Sequence, residues 1–321
     1  MTRYLIRRVL WSVLLFLVVT FVTYVIFFLV PAHPERAVAG RNATPADIKR
    51  AAHFIGVDRP VYIQYARFLR RLVVDRSLGF SFATRQEENS IVGAAAPITA
   101  SLVIGGMILW LAISLPVGIL AALRPRSLLD RFSTVIVLIG ISAHPVFIGL
   151  VFSYFFGYKL GWFPITGYCD FFNASTGCGG PVQWFYHLML PWATFALLFT
   201  AFYVRFIRSS VLDTLNEDYV RTARAKGASE PVVIVKHVLR NALLPVVTIL
   251  GLDVSVALGG AIFTESVYGL PGLGLIVRQS LDNFDLPTIQ AVVVFATIVI
   301  IGVSLIVDLL YAVIDPRIRL S

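Results

Sequence analysis

The sequence predicts an all-α polytopic membrane protein with six transmembrane helices, and three observations lead there. Hydrophobic residues make up 58% of the 321 residues and charged residues only 14%, with a mean hydropathy of +0.82; a soluble domain carries about 25% charged residues. The apolar residues gather into runs of the length that crosses a hydrocarbon core as a helix, roughly twenty residues each. The cations lie between those runs rather than in one patch, so the formal net charge of +9 marks the cytoplasmic side and is not a nucleic-acid footprint.

Arg3, Arg7 and Arg8 precede an unbroken apolar run from Val9 to Val30. It exceeds a signal-peptide core and has no small-x-small site directly after it, which predicts an uncleaved first helix with its N-terminus inside. Residues 1–30 form this first division. The polar insert 31–97 is predicted to lie outside. In it Thr44 can cap a helix with Pro45 at its first position, and Val61 to Val74 alternates large apolar residues with Arg67, Arg70 and Arg71. Cations in so long a loop do not argue against an outside location.

Residues 98–314 are the expected transmembrane core. Ile98 to Leu123 is the second span, with Pro116 expected to kink it. The turn RPRSLLDR follows on the cytoplasmic side. Phe132 to Phe156 is the third span, and within it His144 precedes Pro145, which frees backbone carbonyls at membrane depth. This histidine is either a hydrogen-bond donor that packs helices or a proton relay. Loop 157–186 holds Cys169 and Cys178. They can close a small disulfide ring outside, or stay as two free thiols. No metal-ligand spacing links the scattered histidines, so no metal is expected.

His187 to Ile207 is the fourth span and Pro245 to Phe263 the fifth. Asp253 sits at the middle of the fifth, where an ionised carboxylate costs roughly 2.5–3.5 kcal/mol. It is expected to face a wet passage or a helix interface, either as an acceptor for a cationic cargo group or as a protonated, hydrogen-bonded structural residue. TESVYGLPGLGLIVRQSLDNFDLP reads as an ordered outer turn with a short amphipathic helix. Ile289 to Val313 is the sixth span, with Asp308 near its inner end and the tail 315–321, bearing Arg317 and Arg319, beyond it. The two shorter outside loops hold only Lys159 and Arg278, whereas every inside segment is rich in arginine, so both termini are placed inside.

The segment 208–244 interrupts this pattern. DTLNEDYVRTARAKGASEPVVIVKHVLRNALLP, from Asp213 to Pro245, is polar and basic. A helix is expected over Leu215–Lys226, with Glu217 and Asp218 early and Arg221, Arg224 and Lys226 late, as the helix dipole prefers. Gly227 ends it as a C-cap residue would. Ser229 can cap a second helix with Pro231 in its first turn and Val232, Val235 and Leu239 on one side. A compact charged element in so apolar a chain is suited to be gripped by a soluble partner; the alternative is a solvated topogenic loop without one.

DYVRTARAKGAS followed by HVLRNALLPVVT resembles the cytoplasmic loop of the membrane permease subunits of bacterial dipeptide and oligopeptide ABC importers. RYLIRRVL is similar to the opening of the first of their two permeases. DRPVYIQYARFLRRLVVDRSLGFSF, KLGWFPITGY and ESVYGLPGLG resemble further segments, while CDFFNASTGC looks like an addition to the common pattern. The wider signature, Glu-Ala-Ala, three residues, then Gly, is kept only in part: Arg221, Thr222 and Ala223 stand where Glu-Ala-Ala would, and Gly227 is present.

The resemblance implies one half of a heterodimeric pore in the bacterial inner membrane. Its partners would be a second permease, two ABC ATPase subunits and an extracytoplasmic peptide-binding protein, and its cargo di- or oligopeptides. It implies that Glu217, Asp218, Tyr219, Arg221, Thr222, Ala223, Arg224, Ala225, Lys226 and Gly227 meet an ATPase, the small Ala223 and Ala225 permitting close approach. No catalytic residue and no cofactor is expected in this chain. It has no G-x-x-x-x-G-K-[ST], so ATP and Mg²⁺ belong on the partner ATPases. Asp253 and His144 are the candidate substrate-path residues. The insert would lie near the binding protein, or cap the outer helix ends, or both. Alternatives are the same scaffold carrying nickel, glutathione or oligosaccharide, a gradient-driven secondary transporter using Asp253 and His144 as a proton path, and a membrane anchor for cytoplasmic proteins.

Overall fold

The computed structural model describes residues 2–29, 44–55, 60–128, 130–131, 135, 144–172 and 178–314. Every regular element among them is a helix, as lipid demands, because a helix satisfies its own backbone N–H and C=O groups. Among the described residues, five helices are long and apolar enough to cross a membrane, or six if Val256–Tyr268 and Leu273–Asp282 are taken together as one span.

Helix α1 is Thr2–Tyr24, continued by a π-helical turn Val25–Leu29. In the insert, α2 is Pro45–Ile55 and α3 is Val61–Val73, close to expectation; the Ile48 N–H bonds the Thr44 carbonyl at 3.0 Å. Helix α4 runs from Glu88 to Leu123, 36 residues. The second span was expected to begin at Ile98, after Pro97. The helix instead starts ten residues earlier and holds both Pro97 and Pro116. Burial outweighs the proline signal here: Val92 and Ala95, in the stretch before Pro97, pack with Leu273, Ala291 and Val292 in a hydrophobic cluster.

Helix α5 is Pro145–Phe152, continued by a π-helical stretch Ser153–Lys159. Apart from residue 135, the start of the third expected span, 132–143, lies outside the described residues. Helix α6 is Pro181–Leu215, with Pro191 inside it, and α7 is Asp218–Ala225. A helical run follows in three pieces, Glu230–Val232, the π-helical Val233–Leu239 and Arg240–Ala242. Helices α8, Leu244–Tyr268, α9, Leu273–Asp282, and α10, Leu286–Ile314, complete the chain. Tail residues 315–321 lie outside the described residues, as does the side chain of Asp308.

The chain divides into two compact units, Met1–Ile98 with Pro271–Ser321, and Thr99–Leu270. In the first, the insert is fastened to α1. Phe68 is buried with Tyr24 and Val294. The Tyr24 hydroxyl donates to Gln64 at 2.9 Å, and Tyr65 donates to the Leu17 carbonyl at 3.0 Å. The start of α10 is clasped by the residues before α4. Asp285 accepts from Ser81 Oγ at 2.5 Å and from the Phe82 N–H at 3.0 Å. The Thr288 hydroxyl lies 2.6 Å from Glu88 Oε1 and 2.7 Å from Asp285 Oδ2. Glu88 is fully buried there, and its Oε2 has no hydrogen-bond partner among the described residues.

In the second unit, Trp110, Phe195, Tyr203, Leu188 and Ile207 are buried where α4 meets α6. Trp110 stacks on Phe199 with ring centroids 4.4 Å apart. Gly105 makes room for Trp192: a Cβ there would sit 2.1 Å from the indole. Small residues let helices approach in lipid, where no hydrophobic force drives them together. The Trp192 N–H is satisfied by the Ser101 carbonyl at 2.9 Å.

Candidate functional site

The polar segment between α6 and α8 folds as a compact knob. The expected helix Leu215–Lys226 is shorter than predicted. Leu215 finishes α6, Asn216 and Glu217 turn back on the carbonyls of Asp213 and Thr214, and α7 covers only Asp218–Ala225. Gly227 follows in the left-handed region at φ +80°. Its N–H reaches the Arg224 carbonyl at 2.9 Å and the Ala228 N–H reaches that of Ala223 at 3.3 Å, the paired bonds of a Schellman cap.

The phase of the second helical run differs from expectation. Val232 and Val235, predicted to share an apolar side, are exposed, whereas Val233 and Val238 are fully buried. Residues five apart share a face because this run is π-helical, with i to i+5 hydrogen bonds. Ser229 stands at the N-cap as predicted, without a side-chain bond to the helix.

Two clasps hold the knob. The Arg224 guanidinium forks onto Glu230 at 2.7 and 3.1 Å, and Asn241 Nδ2 donates to the Tyr219 hydroxyl at 2.9 Å. Ser210 Oγ bonds the Ala242 carbonyl at 2.7 Å, tying the knob back to α6. Val220 is its fully buried anchor. Glu217, Asp218, Tyr219, Arg221, Thr222, Arg224, Ala225, Lys226 and Gly227 are exposed around it, and Ala223 is half-buried. Nine of the ten residues expected at the ATPase interface are therefore exposed, five of them charged.

A second fastening escaped the sequence reading. Arg208, near the end of α6, binds Asp130 of the turn after α4 through two nitrogens, and the Arg126 N–H adds a third bond at 2.9 Å. The Arg208 hydrogen bond, then that backbone N–H, hold the Asp130 carboxyl below the usual carboxylate range. Both residues had been read only as loop punctuation. One acid among the cations of RPRSLLDR was the available signal.

Asp253 lies in the first half of α8 and is half-buried. Its Oδ2 accepts from the Tyr203 hydroxyl at 2.7 Å. Leu252, Val256 and Phe263 form an exposed apolar strip beside it. His144 caps α5: its Nδ1 accepts the Val146 N–H at 3.3 Å. Through this nitrogen it is an acceptor within its own helix. Its exposed ring meets Phe263 edge-on, centroids 5.1 Å apart. Phe263 is about 15 Å along the helix axis from Asp253, so the structure does not bring the histidine and the carboxylate together.

Cys169 and Cys178 are joined in a disulfide with Cα atoms 5.2 Å apart. His187 Nδ1 lies 3.2 Å from the buried Cys169 Sγ. Ring residues 173–177 lie outside the described residues.

An all-helical chain with five or six apolar spans among its described residues, and an exposed polar knob between two of them, has the architecture of a multi-pass membrane protein. The chain belongs to the family of binding-protein-dependent transport system inner membrane components, which matches residues 114–320, with its N-terminal part matching residues 1–103. It is similar to an oligopeptide transport system permease protein of Bacillus subtilis, 36% identical over 320 residues, 99% of this chain and 100% of that one. It is also similar to a protein of Brucella suis named as a peptide permease, 37% identical over 324 residues and the whole of both chains. One of Brucella abortus named as a peptide transport system permease is 31% identical over 319 residues, 99% of each chain. The chain is therefore a multi-pass membrane component of a binding-protein-dependent transport system.

Proposed function

We propose that this chain is one of two permease subunits of an ABC importer that carries di- or oligopeptides across a bacterial inner membrane. An extracytoplasmic binding protein delivers the cargo, and two separate ATPase subunits, which hold ATP and Mg²⁺, supply the drive. The observation that carries this is the knob: a short charged helix, α7, exposed except at the buried Val220 and half-buried Ala223, and clasped to the ends of the spans on either side of it. The peptide names of the full-length relatives support the cargo class.

Closure of the ATPases would push on α7. Because Arg224–Glu230 and Tyr219–Asn241 lock the knob internally and Ser210–Ala242 locks it to α6, the push moves α6 and α8 as levers. The Arg208–Asp130 pair carries the same displacement to the turn after α4. In this arrangement the knob and both termini face the cytoplasm, which the arginine-rich loops support.

The test is reconstitution. The chain with a second permease, ATPases and binding protein in vesicles is expected to accumulate labelled peptide only when ATP is on the ATPase side. Uptake by this chain alone, driven by an ion gradient, would refute ABC coupling, and an ATP-driven complex that takes up nickel ion but no peptide would refute the cargo.

A further inference from the structure

We propose that Asp253 and Tyr203 form an acceptor station for an organic cation of the cargo, an ammonium or guanidinium group, and that this station discriminates among cargoes by charge. The station presupposes the peptide-import reading above, because it acts on a cargo group in transit.

Tyr203 is fully buried and held by aromatic neighbours, with ring centroids 6.0 Å from Trp110 and 5.7 Å from Phe202. Its hydroxyl is therefore a fixed donor to Asp253 Oδ2 at 2.7 Å. That bond occupies one oxygen. Among the described residues Oδ1 receives no hydrogen bond, and the ion pairs Arg208–Asp130, Arg221–Asp218 and Arg224–Glu230 do not involve Asp253.

The carboxylate is half-buried beside Leu252 and Val256, which are 65% and 61% exposed. A carboxyl group at the edge of an exposed apolar strip meets little competing polar surface, and its attraction for a cation grows as local water is excluded. Tyr203 engages one oxygen of this half-buried carboxyl, and the other remains an acceptor. The chemistry that completes it is a positive group with N–H donors. A peptide offers that from two sources, its N-terminal ammonium and a lysine or arginine side chain.

The complete complex in vesicles would be given two pairs of tripeptides. One pair differs only by lysine against norleucine, the other is the norleucine peptide with a free or an acetylated N-terminus. Asp253→Asn keeps the size and the acceptor for Tyr203. It is expected to lower the uptake ratio of cationic to neutral member by roughly tenfold or more in one pair, the scale of a charge-assisted hydrogen bond. The affected pair names the source. Tyr203→Phe, which leaves the carboxylate and removes its fixed donor, is expected to shift the same ratio in the same direction by less. Both ratios unchanged in Asp253→Asn, with uptake intact, would overturn the station. If that variant does not assemble, unchanged ratios in Tyr203→Phe do so. A wild-type complex that imports none of the peptides removes the peptide-import reading itself, an outcome distinct from normal import with unaltered ratios.

Discussion

Arg208 grips Asp130 through two parallel hydrogen bonds, Nε to Oδ1 at 2.6 Å and Nη2 to Oδ2 at 3.0 Å. The pair joins the turn after the second span to the base of the helix that carries the knob. Asp130 is nearly buried, with its side chain 9% exposed, while Arg208 is 32% exposed. Removing the arginine takes away both side-chain hydrogen bonds of that fork from a nearly buried carboxylate. Arg208→Ala is expected to destabilise the solubilised protein by about 2 kcal/mol, read by thermal unfolding in detergent, with Arg208→Lys in between because an ammonium cannot fork.

The same pair sets a pH dependence. The folded Asp130 carboxyl lies below its unfolded value of about 4. Its stabilisation is therefore complete above the unfolded pKa and lost as pH falls through the folded one. The stability difference between wild type and Arg208→Ala is expected to be constant from neutral pH down to about 5 and to shrink in stronger acid. A difference that grew on acidification would contradict the assignment.

Gly227 sits at φ +80°, yet a Cβ added there meets nothing within 4 Å. Its requirement is one of backbone conformation, not space. Gly227→Val is expected to strain the cap by about 1–2 kcal/mol and to tilt α7, while Gly227→Asn, which tolerates the left-handed region, costs less. Peptide uptake per ATP hydrolysed in reconstituted complexes is the measurement, with membrane insertion unchanged. Equal coupling ratios for wild type and valine variant would show that the cap geometry is not transmitted.

Val220 and Val235 make a matched pair of probes. Val220 is fully buried and Val235 is 65% exposed. Val220→Asp buries a charge without a partner and is expected to cost about 3 kcal/mol or more locally, releasing the knob and abolishing co-purification of the ATPases. Val235→Asp is expected to leave co-purification within about twofold. The reverse order would restore the helical phase that a regular 3.6-residue period predicts.

Gly105 and Gly259 test close helix approach. A Cβ at Gly105 would lie 2.1 Å from the Trp192 indole, while one at Gly259 meets nothing within 4 Å. Gly105→Ala is expected to lower stability by about 1–3 kcal/mol. Gly259→Ala is expected to be neutral or slightly stabilising in detergent unfolding.

Membrane spans and the knob were legible in the sequence because both are local properties. Twenty apolar residues cross a bilayer whatever their neighbours, and charge order, Gly227 and Ser229 punctuate short helices without tertiary help. Even the exposure of Glu217, Asp218, Arg221, Thr222, Arg224 and Lys226 follows from their polarity. What only the tertiary structure decided lies between residues distant in the chain. Burial of Val92 and Ala95 carried a helix through Pro97. A π-helical run moved the buried side from Val232 and Val235 to Val233 and Val238. Asp253 found its donor in Tyr203, and Asp130 its cation in Arg208, fifty and seventy-eight positions away. No periodicity encodes such pairs: they form because a desolvated polar group must find a partner wherever the packing of helices supplies one.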